Sequence, residues 1–172
     1  MTSVRARYLA ATAATTAAAV AGSLGTRVGT DWYRRLDKPS WQPPGWVFGP
    51  SWSSLYALIA GASGRAMARM DDEPERRRYA WALGVNLALN ASWSWLFFTA
   101  KRPAWSLVDT ALLEFSTLDL LRRCARVDRT SALMLAPYAG WVAFATTLNL
   151  AILRRNDSVR TWDPPGVEAG GQ

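Results

Sequence analysis

The residues best placed to do chemistry are polar and aromatic side chains that recur at helical spacing. Asn86, Asn90, Trp93 and Phe97 are separated by four, three and four residues, so they form one stripe on a helix. Asparagine in hydrocarbon is costly unless it is hydrogen-bonded, so this stripe must face protein or a cavity. Two interpretations stay open: hydrogen bonds between helices, or a polar contact from Asn90 in an aromatic ligand site.

Two further aromatic faces occur elsewhere in the chain. Trp52 and Tyr56 are four residues apart and share a helical face, and Tyr138, Trp141 and Ala145 share another. Aromatic rings give broad apolar surfaces, which suit a flat, conjugated, apolar ligand. The three faces predict a ligand-binding pocket between helices.

Three acidic residues lie within an otherwise apolar stretch, where acids are candidates for a functional site. Asp119 is close to Arg122 and Arg123, and Asp109 is close to the start of its helix, so each can pair or reach the interface. Glu114 lies near the middle. A proton relay through Glu114 stays an alternative, although no other apolar stretch carries a charged partner for it.

Composition excludes several classes of function. The chain has no histidine and a single cysteine, Cys124, so it lacks the commonest zinc and haem ligand and has no internal disulfide. It has neither a Gly-x-Ser-x-Gly motif nor a phosphate-binding loop. The net charge of +7 is concentrated in the connections, which favours anionic lipid over nucleic acid as the partner. We predict no metal and no cofactor.

The elements that must position these residues are membrane-spanning helices. Four long stretches carry no charge and a fifth carries only the three acids, each close to the ~20 residues that cross a bilayer. We predict an all-α integral membrane bundle, residues 1–156, followed by a disordered tail, 157–172. The predicted transmembrane helices span about residues 8–26, 46–67, 79–100, 103–123 and 132–153.

Two segments admit alternatives. Residues 19–21 resemble a signal-peptide cleavage site, but four later spans favour a retained first helix. The connection from about Arg27 to Gly45 is long and carries charges, Trp41 and Pro44. It is either an interfacial anchor or a lid over a pocket between helices.

Several motifs resemble those of the tryptophan-rich sensory protein/translocator protein family, also called the TspO/MBR family or peripheral-type benzodiazepine receptors. The resemblance covers about residues 20 to 156. It is carried, in order, by Trp32-Tyr33, Lys38-Pro39-x-Trp41-x-Pro43-Pro44, Phe48-Gly49-Pro50-x-Trp52-x-x-Leu55-Tyr56, Leu89-Asn90-x-x-Trp93-x-x-x-Phe97-Phe98, Val108-Asp109 and Pro137-Tyr138-x-x-Trp141-x-x-Phe144-Ala145-x-x-Leu148-Asn149.

The resemblance implies a bundle of five transmembrane helices, usually a homodimer, with a pocket that opens toward the first loop. Family members bind porphyrins such as protoporphyrin IX and drugs of the isoquinoline-carboxamide and benzodiazepine types. Animal members also bind cholesterol, but the helix-five segment 148–154 lacks the tyrosine of the family's cholesterol pattern, which disfavours cholesterol here. Carried over by motif, the pocket residues are Trp41, Pro44, Trp52, Asn90, Phe97, Trp141 and Ala145.

The favoured function is therefore a membrane receptor or sensor for porphyrin-like tetrapyrroles, tied to tetrapyrrole homeostasis or stress. One alternative is an enzyme that degrades the porphyrin in light, with Trp52 and Trp141 as redox-active residues. Another is a tetrapyrrole or lipid transporter coupled to protons through Glu114. Arginine and alanine content favours a bacterial cell membrane.

Overall fold

The computed structural model describes residues 3–156, which form helices joined by short connections and contain no strand. The all-α fold predicted from the sequence is confirmed. The tail predicted for 157–172 lies outside the described residues. The helices are α1 (Val4–Gly25), α2 (Asp31–Arg35), α3 (Gly45–Arg69), α4 (Glu73–Ser94), α5 (Pro103–Val127) and α6 (Arg129–Arg155), and a π-helical turn (Trp95–Thr99) continues α4.

The helices extend beyond the apolar stretches because capping residues lie among the charges. α4 and α6 begin at Glu73 and Arg129. The sequence prediction started these two helices near residues 79 and 132, where the charged residues end. Pro74 occupies the first turn of α4, where its fixed φ suits a helix start. Asp128 caps α6, because its carboxylate accepts a hydrogen bond from the Ser131 N–H at 2.9 Å.

The five long helices form a closed ring in the order α1, α3, α6, α5, α4. Each helix packs against its two neighbours in this ring, and α4 returns to contact α1. Small residues permit the closest approaches: a Cβ on Gly25 of α1 would lie 2.8 Å from the Trp95 ring. A ring of five helices leaves space on its inner side, and the side chains that fill or line that space define the site.

The outer surface of the ring is apolar. Large hydrophobic side chains are exposed on several helices, among them Leu24, Trp81, Leu112 and Phe115. Within residues 3–156, Arg129–Arg155 is the one helix long and apolar enough to be recognised as a membrane span by length and composition alone. Alanine, glycine, serine and threonine fill much of the other long helices, so these lack charge over long stretches without being strongly hydrophobic.

Candidate functional site

A cavity of about 540 Å³ lies inside the ring beneath the first loop. All five long helices contribute side chains to its wall, and Tyr33 and Gln42 of the loop close one end. Its volume falls in the range of small-molecule sites. Its lining is mostly aromatic and aliphatic, so it suits an apolar ligand with few polar groups.

Most of the residues predicted for the pocket meet at this cavity. They come from three helices that are far apart in the sequence, and packing of the ring turns their aromatic faces toward one another. The predicted residues that line the cavity are Trp52, Tyr56, Asn90, Trp93, Phe97, Trp141 and Ala145.

Three predicted residues lie next to the cavity without lining it. Trp41 is 49% exposed and its ring packs edge-on against Phe144, a lining residue, with centroids 5.9 Å apart. Pro44 caps the start of α3, one residue before the cavity wall begins at Gly45. Tyr138 is fully buried behind the wall, where its hydroxyl holds Asn90.

The sequence reasoning missed a second group of lining residues. Phe98 follows Phe97 directly, and consecutive residues of a regular α-helix point about 100° apart. The π-helical turn widens this part of the chain, and both rings are buried together in a cluster with Trp32 and Leu36. Gly22 and Thr26 of α1 also line the cavity, but small residues carry no aromatic signal that could have identified them.

Aromatic rings in contact form two walls of the cavity. Trp93 stacks on Phe97, with centroids 5.3 Å apart and planes 18° apart. Trp52 meets Trp141 nearly at right angles, with centroids 6.3 Å apart. Phe48 packs edge-on against Trp141 at 5.9 Å. These rings fix one another, so the apolar surfaces are in place before a ligand arrives.

A chain of hydrogen bonds runs behind the wall and crosses four helices. The Tyr56 hydroxyl donates to Asn90 Oδ1 at 2.7 Å, and Asn90 Nδ2 donates to the Tyr138 hydroxyl at 3.0 Å. Tyr138 donates to Asn86 Oδ1 at 3.1 Å, and Asn86 Nδ2 donates to Thr117 Oγ1 at 2.9 Å. The interpretation as hydrogen bonds between helices is therefore confirmed for both asparagines. Asn90 also lines the cavity, and its contact with a ligand stays a prediction.

Two cavity residues keep a buried polar atom without a hydrogen-bond partner. These atoms are Trp93 Nε1, a donor, and Gln42 Oε1, an acceptor. A buried polar group left unpaired costs free energy, so such a group in a binding site is a place where a ligand can gain affinity. Both residues line the cavity, and protein atoms cover these two polar atoms, so a ligand reaches them after a shift of the side chain.

The first loop forms a lid over this cavity. Trp32 and Leu36 are buried in the same cluster as Leu148 and Ile152 of α6. At the end of α6, the Asn156 side chain accepts from the Asp37 N–H at 3.0 Å and donates to the Asp37 carbonyl at 2.9 Å. Of the two interpretations of this loop, these contacts favour the lid.

The ammonium group of Lys38 lies at the edge of the lid. Lys38 Nζ sits 4.6 Å from the centroid of the Tyr33 ring and donates to the Leu36 carbonyl at 3.1 Å. Partial burial lowers the pKa of Lys38, and the neighbouring Asp37 carboxylate opposes that shift. Burial likewise raises the pKa of the Tyr33 hydroxyl, which keeps the phenol neutral at this end of the cavity.

The acids of α5 do not line the cavity. Asp109 is buried between helices and accepts a hydrogen bond from Ser92 Oγ at 2.7 Å. Asp119 forms an ion pair with Arg123 at 2.7 Å. Glu114, the residue predicted for a proton relay, is partly buried outside the cavity. Within residues 3–156 no cluster of three or more histidine, cysteine or acidic side chains could hold a metal.

Comparisons with known proteins agree with this architecture. The model of the TspO/MBR family matches residues 10–155. The human translocator protein is 36% identical over 133 residues, 77% of this chain and 79% of the relative. The tryptophan-rich protein TspO of Chlorobaculum tepidum is 36% identical over 137 residues, covering 79% and 87%. The tryptophan-rich sensory protein of Cereibacter sphaeroides is 31% identical over 139 residues, covering 81% and 82%. The chain therefore belongs to the TspO/MBR family and is an integral membrane bundle of helices.

Proposed function

We propose that this protein is a membrane receptor or sensor that binds porphyrin-like tetrapyrroles in the cavity beneath the first loop. The observation that carries the proposal is a cavity of about 540 Å³ with aromatic walls and a lid. A flat macrocycle can pack against the rings of the Trp93–Phe97 pair and of the Trp52–Trp141 pair, since both pairs line the cavity. Relatives named for translocation and for sensing agree with a sensor or transporter role in the membrane.

The polar groups at the lid suit the carboxylates at the edge of such a ligand. Lys38 lies beside Tyr33, a lining residue, and exposed Arg34 and Arg35 follow in the same loop segment. A cation and a carboxylate at this boundary form charge-assisted hydrogen bonds.

A titration tests the binding proposal. Protoporphyrin IX is added in the dark to the full chain in nanodiscs, and quenching of tryptophan fluorescence is followed. We expect saturable quenching at micromolar ligand. Quenching should be weaker in Trp141→Phe, because Trp141 lines the cavity, and unchanged in Trp81→Phe, because Trp81 faces outward. Quenching that does not saturate, or that both variants affect equally, contradicts the proposal.

Light-dependent oxidation of the bound porphyrin by dioxygen is the second candidate. The observation that favours it is the direct contact of two oxidisable indoles, Trp52 and Trp141, at the cavity wall. Illumination of the loaded protein in air gives new absorbing products under this hypothesis, and the double variant Trp52→Phe/Trp141→Phe does not form them. Product formation at the same rate in the double variant excludes a role for these residues.

We further propose that the protein is a homodimer in a bacterial cell membrane. Bacterial relatives support the location, and an exposed apolar face on α4 supports the association. That face carries Trp81 and Val85 beside Gly84, where an added Cβ would meet nothing within 4 Å. Light scattering of the detergent-solubilised protein measures its oligomeric state. We expect Gly84→Trp to shift the dimer–monomer equilibrium toward monomer.

A further inference from the structure

A second depression lies on the outer side of the bundle between α1 and α3. It is an open groove of about 410 Å³, and Thr12, Thr16, Ala57 and Ala60 belong to its wall. This groove is distinct from the cavity under the lid, because these four residues do not line that cavity. It faces the surface that a bilayer covers.

The groove and the cavity are separated by a thin wall. Ala19, Ser23 and Tyr56 line both spaces. Two of these three side chains are small, so between α1 and α3 Tyr56 is the one bulky side chain shared by the two spaces. At this point of the α1–α3 seam, a single layer of side chains lies between the cavity and the groove.

The groove carries hydroxyl groups, yet it presents an apolar surface. Thr15 Oγ1 donates to the Ala11 carbonyl at 2.8 Å, Ser23 Oγ to the Val20 carbonyl at 2.8 Å and Ser53 Oγ to the Gly49 carbonyl at 3.0 Å. These hydroxyl protons are directed to the backbone of their own helices. An apolar molecule can lie against these three side chains without displacing a hydrogen bond between helices.

The lid and the side wall differ in what holds them closed. Opening the lid exposes Trp32 and Leu36 and breaks the paired hydrogen bonds between Asp37 and Asn156. Opening the side wall requires a movement of Tyr56, whose hydroxyl is held by its hydrogen bond to Asn90 Oδ1 at 2.7 Å. The Tyr56 ring also packs against Trp52, with centroids 5.5 Å apart. The side wall leads to the bilayer, which is the phase in which an apolar ligand dissolves.

We infer that the groove between α1 and α3 is a lateral portal through which the apolar ligand exchanges between the bilayer and the cavity, with Tyr56 as its gate. The inference rests on the proposed function, because it concerns the route of the ligand bound there. The lid then closes the aqueous end of the cavity, and the ligand need not cross water.

Binding kinetics of the full chain in nanodiscs test the portal. Stopped-flow tryptophan quenching with protoporphyrin IX gives the association and dissociation rates, and a dark titration gives Kd. Ala57→Phe fills the groove and leaves the cavity lining unchanged, because Ala57 lines the groove alone. Leu112→Phe is the matched control, since Leu112 is exposed on α5 away from both spaces.

A blocked route slows entry and exit without changing the bound state. Ala57→Phe is therefore expected to slow both rates by about tenfold and to leave Kd within about twofold, as for a gating step. Leu112→Phe keeps both rates. Ala57→Leu, a smaller change, gives an intermediate slowing and serves where the phenylalanine variant does not fold.

The outcomes separate the portal from the receptor. The portal is overturned if the unmodified chain binds saturably and both Ala57→Phe and Ala57→Leu keep its association and dissociation rates. The proposed function then still stands. The portal is also overturned if the association and dissociation rates rise in Asn156→Ala and stay constant in both Ala57 variants. That result assigns the ligand's route to the lid. Absence of saturable binding by the unmodified chain overturns the proposed function itself.

Discussion

The unpaired indole N–H of Trp93 links the stability of the protein to its binding. A buried donor without a partner costs about 1–3 kcal/mol, and Trp93 Nε1 is such a donor at the cavity wall. Trp93→Phe removes that donor and keeps an aromatic ring against Phe97. We expect the thermal midpoint to stay equal or rise. Where ligand entry shifts the ring and uncovers this N–H, porphyrin affinity falls by about three- to tenfold, the worth of one hydrogen bond.

Paired thermal melts and dark titrations check this expectation. Trp105→Phe is the control, because Trp105 is exposed on the outer surface and should change neither quantity. If Trp93→Phe lowers the midpoint by several degrees and keeps the affinity, the indole serves packing alone and the N–H does not meet the ligand.

Single residues also show what spacing can and cannot reveal. The interval of four between Asn86 and Asn90 places both on one stripe, and both are indeed buried and hydrogen-bonded. The interval cannot tell that Asn90 alone of the two lines the cavity, since this depends on the position of the cavity along α4. Tyr138 likewise shares a face with Trp141, yet it lies one layer behind the wall.

At the scale of elements, the contact of α1 with α4 sets one side of the cavity. The Trp95 ring lies over Gly25, and its Nε1 donates to the Ala21 carbonyl at 2.9 Å. A Cβ at position 25 would lie 2.8 Å from that ring, so in Gly25→Ala either the Trp95 ring or the two helices must shift. Overpacking of this kind costs about 1–3 kcal/mol in unfolding free energy.

Gly140→Ala is the matched control for that prediction. Gly140 lies within α6 with nothing inside 4 Å of an added Cβ, so the substitution should stabilise the helix by about 0.5–1 kcal/mol. Denaturation midpoints of the two variants are expected to move in opposite directions. Equal shifts would show that the Gly25–Trp95 contact relaxes without cost.

The lid is the second element whose behaviour follows from a small set of contacts. Asn156 is buried and holds the Asp37 backbone on both its N–H and its carbonyl, whereas the Arg155–Asp37 ion pair at 3.3 Å is exposed. Exposed pairs contribute little, about 0–1 kcal/mol. Asn156→Ala should therefore loosen the lid and Arg155→Ala should not.

Limited trypsin digestion measures this difference at Arg34 and Arg35, which are exposed on the lid. Faster cleavage there in Asn156→Ala than in the unmodified chain is the expected result, with Arg155→Ala close to the unmodified chain. Identical cleavage of all three proteins would assign closure of the lid to the burial of Trp32 and Leu36 alone.

At the scale of the whole molecule, segregation of charge made the five long helices predictable. The π-helical turn at Trp95–Thr99 and the short helix α2 were not, because each depends on contacts with distant parts of the chain. The ring order α1, α3, α6, α5, α4 was not predictable either. Apolar stretches indicate where each helix lies in the sequence, but the order in a ring depends on which small residues let two backbones approach.

The lower end of the ring, opposite the lid, is closed by one carboxylate. Asp128 joins α3 to the start of α6, because it accepts from Arg65 Nε at 2.7 Å and from Ser131 Oγ at 2.7 Å. Arg69 approaches its other oxygen at 3.3 Å. The hydrogen bonds from Arg65 and Ser131 hold the pKa of this carboxyl well below its ordinary value of 3.8.

A carboxylate whose pKa is lowered by folding stabilises the folded state above its ordinary pKa. That contribution is lost as the pH falls from about 4 toward the folded-state pKa, because the unfolded chain then binds the proton first. Asp128→Asn should therefore lower the thermal midpoint at neutral pH, and its deficit should shrink between about pH 5 and pH 2. Asp71→Asn, at an exposed acid of the same end, is the control. A deficit that stays constant across this pH range would mean that Asp128 acts as a neutral helix cap, and that the ion pairs to Arg65 and Arg69 do not hold the ring together.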